Sequence, residues 1–313
     1  MTNPDSLRLA KRKLAVDATT ARVVRQFGGA GVRSIVIKGP TLQRELHADG
    51  TLRPYTDTDL LVAPWDLEAA GRALESLGFV LIIDHREHRG IAEPHAQEWG
   101  PSPAVKLVDL HWRVAGVNES PERAWEIFVR GTTPFSIGGA LAECLDRPGM
   151  ALLVGLHAAH HGPAMRRPMA DLARALERFD RETWVAATDL AAQLDATEAF
   201  AAGLRIDPDG AVLARKLGLA AASGPQRRLI ASSPPPGALG LLSAVEASGA
   251  TARLQAIRDA LLPRATFMRA GYPLARRGRT GLALAYCARL LVRVRLLPRA
   301  ARAVQRALHT RSD

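Results

Sequence analysis

The sequence SIVIKGPTLQRELHADGTLRPYTDTDLLV, residues 34–62, carries the clearest structural pattern in the chain. Residues 35–37 form an apolar, β-branched run, which predicts a buried strand that ends at the turn of Gly39. Residues 41–47 predict a short helix, and loop-forming residues then precede a second extended segment at residues 57–62. The stretch therefore predicts a strand, a glycine turn, a short helix and a second strand.

Two aspartates lie on the second of these strands. Side chains alternate between faces along a strand, so Asp57 and Asp59 are expected to point to the same side. Two carboxylates on one face repel each other unless a cation lies between them. The pattern predicts a divalent metal site, and the alternative is a pair of solvated carboxylates at a strand edge. In the metal-free protein, Asp57→Asn or Asp59→Asn is then expected to be neutral or slightly stabilising.

A third strand is predicted at residues 104–114, AVKLVDLHWRV, from its alternating pattern. The alternation divides the side chains into two faces, with Lys106, Val108, Leu110 and Trp112 on one and Leu107, Asp109, His111 and Arg113 on the other. Asp109 then shares a face with His111, which either orients Asp109 or is an ordinary interfacial residue. The alternative for Asp109 is a solvent-facing position on an edge strand.

The segments I-K-G-P, R-P-Y-T-D-T-D-L-L-V and V-D-L-H-W together resemble the nucleotidyltransferase superfamily, and more narrowly the bacterial uncharacterised nucleotidyltransferase family. The resemblance implies an α+β fold of the polymerase-β-like type, with a mixed β-sheet, flanking helices and a mainly α-helical C-terminal region. It implies that Asp57, Asp59 and Asp109 are catalytic and bind Mg²⁺, with Mn²⁺ as the alternative. The implied reaction is attack of an acceptor on the α-phosphorus of a nucleoside triphosphate (NTP), with release of pyrophosphate.

The same resemblance places nucleotide contacts around the glycine turn. Gly39 allows backbone amides to approach the β- and γ-phosphates. The superfamily often has serine at the next position, which is Pro40 here, so Thr41 is the candidate hydroxyl donor. Lys38 and Arg53 are candidate phosphate ligands, and the alternative for each is a charge held in water. His111 is a further candidate for nucleotide binding.

Helical periodicity dominates after Pro121, apart from residues 133–137, which predict a last edge strand. Residues 150–161 predict a helix on which His157 and His161 are i,i+4 neighbours. The segments H-A-A-H-H-G and M-A-D-L-A-R resemble the helical region of the family. This spacing also suits zinc, but no H-E-x-x-H acid accompanies it, so we favour nucleotide or acceptor contacts for these two residues. A buried structural role is expected for at least one histidine of this helix.

Residues 84–103, with His85, His88 and His95, predict a long loop or a hairpin over one edge of the sheet. These histidines lack a compact metal-ligand spacing. The expected organisation is a catalytic domain at residues 1–140 and a helical domain with basic C-terminal helices at residues 141–313.

Composition limits the cellular context. The chain of 313 residues contains two cysteines, Cys144 and Cys287, and no secretory apolar region near its charged N-terminus. These features predict a cytoplasmic protein without disulfides. The longest apolar segment, residues 282–297, is interrupted by arginines, so no membrane-spanning segment is predicted.

The positive charge is concentrated at the C-terminal end. From Arg253 onward, fourteen arginines accompany two aspartates, a net charge of +12, so residues 1–252 carry −1 of the total of +11. Such a block is a nucleic-acid or phosphate contact, a membrane-surface helix or simply a solvated surface. Helical spacing predicts a guanidinium stripe formed by Arg289, Arg293, Arg295, Arg299, Arg302 and Arg306.

Three functions agree with the sequence. The first is an Mg²⁺-dependent nucleotidyltransferase that acts on a small molecule or peptide, which we favour. The second is a tRNA- or RNA-directed nucleotidyltransferase of the toxin type, which the basic C-terminus favours. The third is a non-catalytic nucleotide-binding relative, against which the three retained aspartates argue. The sequence carries no signature of the acceptor, of the base of the NTP or of the oligomeric state.

Overall fold

The computed structural model describes residues 4–87, 94–221 and 224–309. Seven strands form one sheet: β1 Ser34–Val36, β2 Thr58–Val62, β3 Val80–Asp84, β4 Ala96–Gly100, β5 Val108–His111, β6 Thr132–Ile137 and β7 Ala140–Leu145. The helices before and around the sheet are α1 Pro4–Gly29, α2 Pro40–Leu46, α3 Leu67–Ser76 and α4 Pro121–Phe128. The helices that follow are α5 Arg147–His161, α6 Arg166–Arg178, α7 Arg181–Gln193, α8 Thr197–Leu204, α9 Pro208–Lys216, α10 Pro225–Ala231, α11 Ala238–Glu246, α12 Ala250–Leu261, α13 Ala265–Gly271 and α14 Gly278–His309.

The predicted fold class is confirmed, because a mixed sheet with flanking helices is followed by a helical region. Two strands were not predicted. β4 lies within the segment predicted as a loop or hairpin, and it forms the inner strand of a hairpin with β3. β7 follows β6 and pairs with it in a second hairpin. Since β7 begins at residue 140, the predicted domain boundary falls on a strand of the sheet, and the domain division stays a prediction.

The sheet has the strand order β3-β4-β5-β2-β1-β7-β6. β2 lies at its centre, antiparallel to β1 and parallel to β5. All five of its residues are buried, including Thr58 and Asp59, as expected for a strand covered on both faces. The centre of the sheet therefore brings the two aspartate-bearing strands next to each other.

The two faces of β2 have different neighbours. Thr58 points toward α1, where its hydroxyl lies 2.7 Å from the hydroxyl of Thr20, and both residues are fully buried. The Tyr55 hydroxyl donates a hydrogen bond to Asp17 of the same helix. Because successive side chains alternate, Asp59 points away from α1 and toward the opposite face of the sheet.

Helix α5 begins where the side chain of Asp146 accepts a hydrogen bond from the backbone N–H of Gly149 at 2.9 Å. Its almost completely buried sequence packs against α6, α7 and α8. One hydrophobic core extends from the sheet through these helices to Leu219. The last five helices contain two smaller, separate hydrophobic clusters, one around Leu242 and Val304 and one around Met268 and Ala285.

In the part of the chain that the structure describes, none of the helices has the length and apolar character that crossing a membrane requires.

Candidate active site

Strand register aligns three acidic residues in one row across the sheet. Asp59 of β2 is the direct neighbour of Asp109 in the parallel β5, and Asp109 lies opposite Glu98 in the antiparallel β4. Residues at matching positions of adjacent strands place their side chains on the same face. Asp57 lies just before β2, two residues from Asp59. Glu98 was not predicted as a site residue, because β4 was not predicted as a strand.

Two lysines neutralise the carboxylates. The Lys38 ammonium lies 2.7 Å from Oδ1 of Asp59. The Lys106 ammonium lies 2.8 Å from Oδ2 of Asp109 and 3.1 Å from Oδ2 of Asp57, so it bridges the two. The predicted carboxylates therefore lie together on one side of the sheet, with Lys38 beside Asp59 and Lys106 between Asp57 and Asp109.

The placement of Lys106 corrects the sequence prediction, which put this residue on the face opposite Asp109. The predicted strand of residues 104–114 begins only at Val108, so strand alternation does not apply to Lys106. Lys106 lies in the loop that precedes β5, and its long side chain places the ammonium group beside Asp57 and Asp109. Sequence separation could not have identified Lys106, because residues three apart in a strand lie on opposite faces.

The protein environment separates the proton affinities of the two paired aspartates. Burial raises the pKa of Asp109 to about 7, and the charges of Asp59 and Asp57 add to this effect although Lys106 opposes it. Burial acts in the same direction on Asp59, but Lys38 and a hydrogen bond from His111 hold the pKa of Asp59 well below its ordinary value. At neutral pH, Asp59 is therefore ionised and Asp109 is near its midpoint.

His111 is a neutral partner of Asp59. Its Nε2 lies 3.2 Å from Oδ1 of Asp59, and the ring is buried at 5% exposure. Burial lowers the pKa of His111 to about 3 despite the nearby carboxylate. A neutral imidazole bonded in this way donates its Nε2–H to the carboxylate oxygen.

The residues fit a divalent cation. Ligand atoms of Asp59, Asp109 and His111 all lie within 4.8 Å of one another. Oδ1 of Asp109 is buried and has no hydrogen-bond partner among the described residues, which leaves a costly acceptor that a cation would satisfy. Carboxylate oxygens are the preferred ligands of Mg²⁺ and Mn²⁺. Asp57 lies outside the group of three and approaches it through Lys106.

The glycine turn has the predicted conformation. Gly39 precedes α2 with φ +67°, a value that a residue with a side chain rarely adopts. A Cβ there would also contact the ring of Tyr55 and the carbonyl of Asp57, each at 3.5 Å. Thr41 is buried, and its hydroxyl lies 3.5 Å from the Lys38 carbonyl. The turn therefore holds Lys38 close to the start of β2, while phosphate contacts by Gly39 and Thr41 stay predictions.

Five histidines surround a small cavity of about 50 Å³ beside Lys38: His95, His111, His157, His160 and His161. The rings of His157 and His161 are 4.6 Å apart, and that of His95 is 5.3 Å from His160. Burial, together with the charge of Lys38, lowers the pKa of His157. The cavity is far smaller than a nucleotide pocket, so nucleotide contacts by His111, His157 and His161 stay predictions. His88 lies outside the described residues.

Arg53 has a different partner from the one predicted. Its Nε and Nη2 donate to the two carboxylate oxygens of Asp171 at 2.6 and 2.7 Å, and both side chains are almost completely buried. This bidentate pair joins the loop before β2 to α6. The pair gives Arg53 a structural role, and a nucleotide contact by Arg53 stays a prediction.

The predicted guanidinium stripe is divided between two sides of α14. Arg289 and Arg293 are partly buried and point toward the neighbouring helices, whereas Arg295, Arg299, Arg302 and Arg306 are exposed. The spacing of i,i+4 pairs does not say which face of a helix is covered.

The raised pKa of Asp109 predicts a pH-dependent stability difference. Between about pH 4 and 7 the folded protein keeps a proton on Asp109 that the unfolded chain has released, so this stabilising contribution is lost as pH rises through 7. Asp109→Asn mimics the protonated form. In urea unfolding with EDTA, the variant should be more stable than the wild type at both pH values, and its advantage should grow by about 1–3 kcal/mol between pH 5 and pH 8. The same difference at both pH values would contradict this, and exposed Asp189→Asn is the control.

Comparison with known proteins adds one finding. The sequence model of a family described as "Uncharacterised nucleotidyltransferase" matches residues 5–207, which include the whole sheet and α1 to α8. A search of curated proteins found no match.

Proposed function

Because the chain belongs to the uncharacterised nucleotidyltransferase family, we propose that it transfers a nucleoside monophosphate from an NTP to an acceptor and releases pyrophosphate. The observation that carries the proposal is the in-register pair Asp59 and Asp109, with Asp57 joined to Asp109 through Lys106. Three carboxylates in this arrangement suit a divalent-metal site better than a structural ion-pair network, because Oδ1 of Asp109 is left without a partner.

Asp57, Asp59 and Asp109 are the proposed ligands, with His111 beside them, for Mg²⁺ or alternatively Mn²⁺. When bound there, a divalent cation would neutralise phosphate charge and polarise the phosphorus–oxygen bonds of an NTP.

Other steps of the reaction are proposed for individual side chains. Asp109 is suited either to share the metal or to take the proton from an attacking hydroxyl, since a carboxylate beside the acceptor can do both. Lys38 and Lys106 are suited to pair with phosphate oxygens once the carboxylates are occupied, because an ammonium group is a mobile point charge on a flexible stem. Burial lowers the pKa of four neighbouring histidines, so they add little positive charge near the site: His111, His157, His160 and His161.

Lys106 and a metal ion compete for the same carboxylates. Lys106→Met is therefore expected to bind Mn²⁺ about tenfold more tightly in the absence of nucleotide, since a repelling charge is removed from the site. Electron paramagnetic resonance of free Mn²⁺ measures this affinity, and exposed Lys11→Met provides a control of equal charge. An unchanged dissociation constant would show that Lys106 does not occupy a metal position.

The proposed activity is tested by incubating the protein with each α-³²P-labelled NTP and Mg²⁺. Fractionated cell extract supplies acceptors, and product formation is followed by chromatography. A labelled, metal-dependent product identifies both the NTP and the acceptor fraction. Binding of NTP without any product across all fractions would favour the non-catalytic nucleotide-binding relative instead.

We favour a small-molecule or peptide acceptor, and RNA is the second candidate. The exposed arginines Arg295, Arg299, Arg302 and Arg306 on α14 favour RNA, because they form a positive surface. Binding through phosphates weakens steeply with salt, so acceptor affinity measured at several salt concentrations separates the two. We place the activity in the cytoplasm, where free thiols such as those of Cys144 and Cys287 are stable.

A further inference from the structure

A cavity of about 470 Å³ lies among the C-terminal helices, and it shares no lining residue with the carboxylate site. The start of α11, the end of α12, the start of α13 and the middle of α14 form its walls. The cavity lies mostly outside residues 5–207, the part of the chain that matches the family. Its volume is in the range of small-molecule sites.

Four arginines line this cavity, and two of them have acidic partners. Arg258 contacts Asp259 at 3.0 Å, and Arg264 contacts Glu87 at 2.7 Å. Arg289 and Arg293 make no ion pair with any acidic residue in the described ranges of the chain. The two guanidinium groups follow each other by one helical turn on α14, so positive charge accumulates on one wall.

Arg289 is held in position by neutral groups. Its Nη1 donates to the Tyr272 hydroxyl at 3.0 Å and its Nη2 donates to the Ala260 carbonyl at 3.1 Å. The guanidinium also lies over the ring of Phe267, 5.6 Å from its centroid. These contacts fix the direction of the side chain but do not compensate its charge.

Each of the two guanidinium groups has a buried nitrogen without a partner. Nε of Arg289 and Nη1 of Arg293 are inaccessible to solvent and make no hydrogen bond to the described residues. Burial and the charge of Arg289 also lower the pKa of Arg293. Leaving a charged group buried without an opposite charge costs free energy, and an anion in the cavity would offset this cost through its charge.

A glycine in the cavity wall allows the Arg293 guanidinium to lie close to the backbone. Gly237, at the start of α11, has φ +102°, and a Cβ there would lie 2.9 Å from Nη1 of Arg293. A side chain at this position would therefore displace the guanidinium. Leu239, Leu262 and Phe267 give the same cavity an apolar side.

We propose that this cavity binds a small phosphomonoester, with its phosphoryl dianion at Arg289 and Arg293 and its organic part against Leu239, Leu262 and Phe267. Two uncompensated guanidinium groups match a dianion better than a single carboxylate, and the planar guanidinium is the preferred partner of phosphate oxygens. The apolar side selects an ester over free phosphate.

The test uses the full chain, EDTA to exclude metal-bound phosphate, and two probes, inorganic phosphate and phenyl phosphate. Calorimetry and thermal shift should show saturable binding of both, with the lower dissociation constant for phenyl phosphate. Arg293→Gln is expected to raise both constants at least about tenfold, since charge-assisted hydrogen bonds are lost. Arg299→Gln removes an exposed charge from the same helix and should leave the constants unchanged.

Three results would overturn the proposal: no saturable binding to the wild type, equal constants for Arg293→Gln and Arg299→Gln, or a constant for phenyl phosphate that is not below that of inorganic phosphate. Circular dichroism verifies that each variant is folded, and Arg293→Lys, which keeps the charge, should lose less affinity than Arg293→Gln. Asp59→Asn should bind both probes like the wild type, so this test is independent of the proposed nucleotidyl transfer.

Discussion

Asp59→Asn is expected to reduce formation of labelled product at least about a hundredfold, because the asparagine amide cannot replace a carboxylate that pairs with Lys38 and is proposed to bind a metal ion. The same variant should lose most of its affinity for Mn²⁺. Rates from the labelled-NTP assay, at metal concentrations from limiting to saturating, measure both effects. Glu75→Gln, which removes an exposed negative charge from α3, is the matched control and should keep full activity.

The structure reverses the expected effect of this substitution on stability. From the sequence alone, removal of one of two repelling aspartates was expected to be neutral or slightly stabilising. Asp59 is instead paired with Lys38 at 2.7 Å, and the two side chains are only 10% and 16% exposed. Asp59→Asn should therefore destabilise the metal-free protein by about 1–3 kcal/mol, since Lys38 loses its partner but can turn its head toward water. Activity close to that of Glu75→Gln in a folded variant would refute the role of Asp59.

Asp171→Ala is expected to lower the free energy of unfolding by about 3–5 kcal/mol, the largest stability effect of any substitution considered for this chain. The substitution leaves the guanidinium of Arg53 buried at 5% exposure without its two charge-assisted hydrogen bonds. Urea unfolding followed by tryptophan fluorescence measures the loss.

Two further variants are controls for this buried pair. Asp189→Ala, at an exposed position on α7, should change stability by less than about 0.5 kcal/mol. The double variant Arg53→Met/Asp171→Leu removes both charges and should recover most of the loss, because apolar replacements avoid the cost of an unpaired buried charge. A value for Asp171→Ala near that of Asp189→Ala would show that the pair contributes little.

The sequence predicts the parts of the fold that local pattern determines. β1 and β2 are apolar runs rich in β-branched or large aliphatic residues, and both were identified within one or two residues. β4, Ala-Gln-Glu-Trp-Gly, and β7, Ala-Leu-Ala-Glu-Cys-Leu, contain residues that favour helices or loops when isolated. Each of them is a strand because it lies between two other strands of the sheet, and this pairing overrides local propensity.

Part of the candidate site could also be predicted from the sequence. Asp57, Asp59 and Asp109 follow from strand alternation and the resemblance to the family. Lys106 and Glu98 do not, because their positions depend on where β5 begins and on the pairing of β4 with β5.

Interactions over long sequence separations explain the remaining differences. Arg53 lies just before the D-x-D strand in the sequence, and this position suggested a phosphate contact. In the fold its guanidinium pairs with Asp171, which is 118 residues away and could not be identified from the local sequence. Arg289 and Arg293 were expected in an exposed stripe, but whether a helical face is solvated depends on the helices packed against it. No periodicity within α14 carries that information.

The pairing of β2 with β5 also limits how the length of this chain can change. Asp59 and Asp109 are neighbours only in the observed register. The residues that precede them, Thr58 and Val108, pair with each other and are fully buried on the opposite face of the sheet, which α1 covers at Thr58. An insertion or deletion of one residue inside β5 exchanges the two faces, so it would direct Asp109 toward Thr20 and an apolar side chain toward Asp59. Length variation among relatives should therefore be concentrated in the loops that flank β5, while the interval from Asp57 to Asp59 stays fixed.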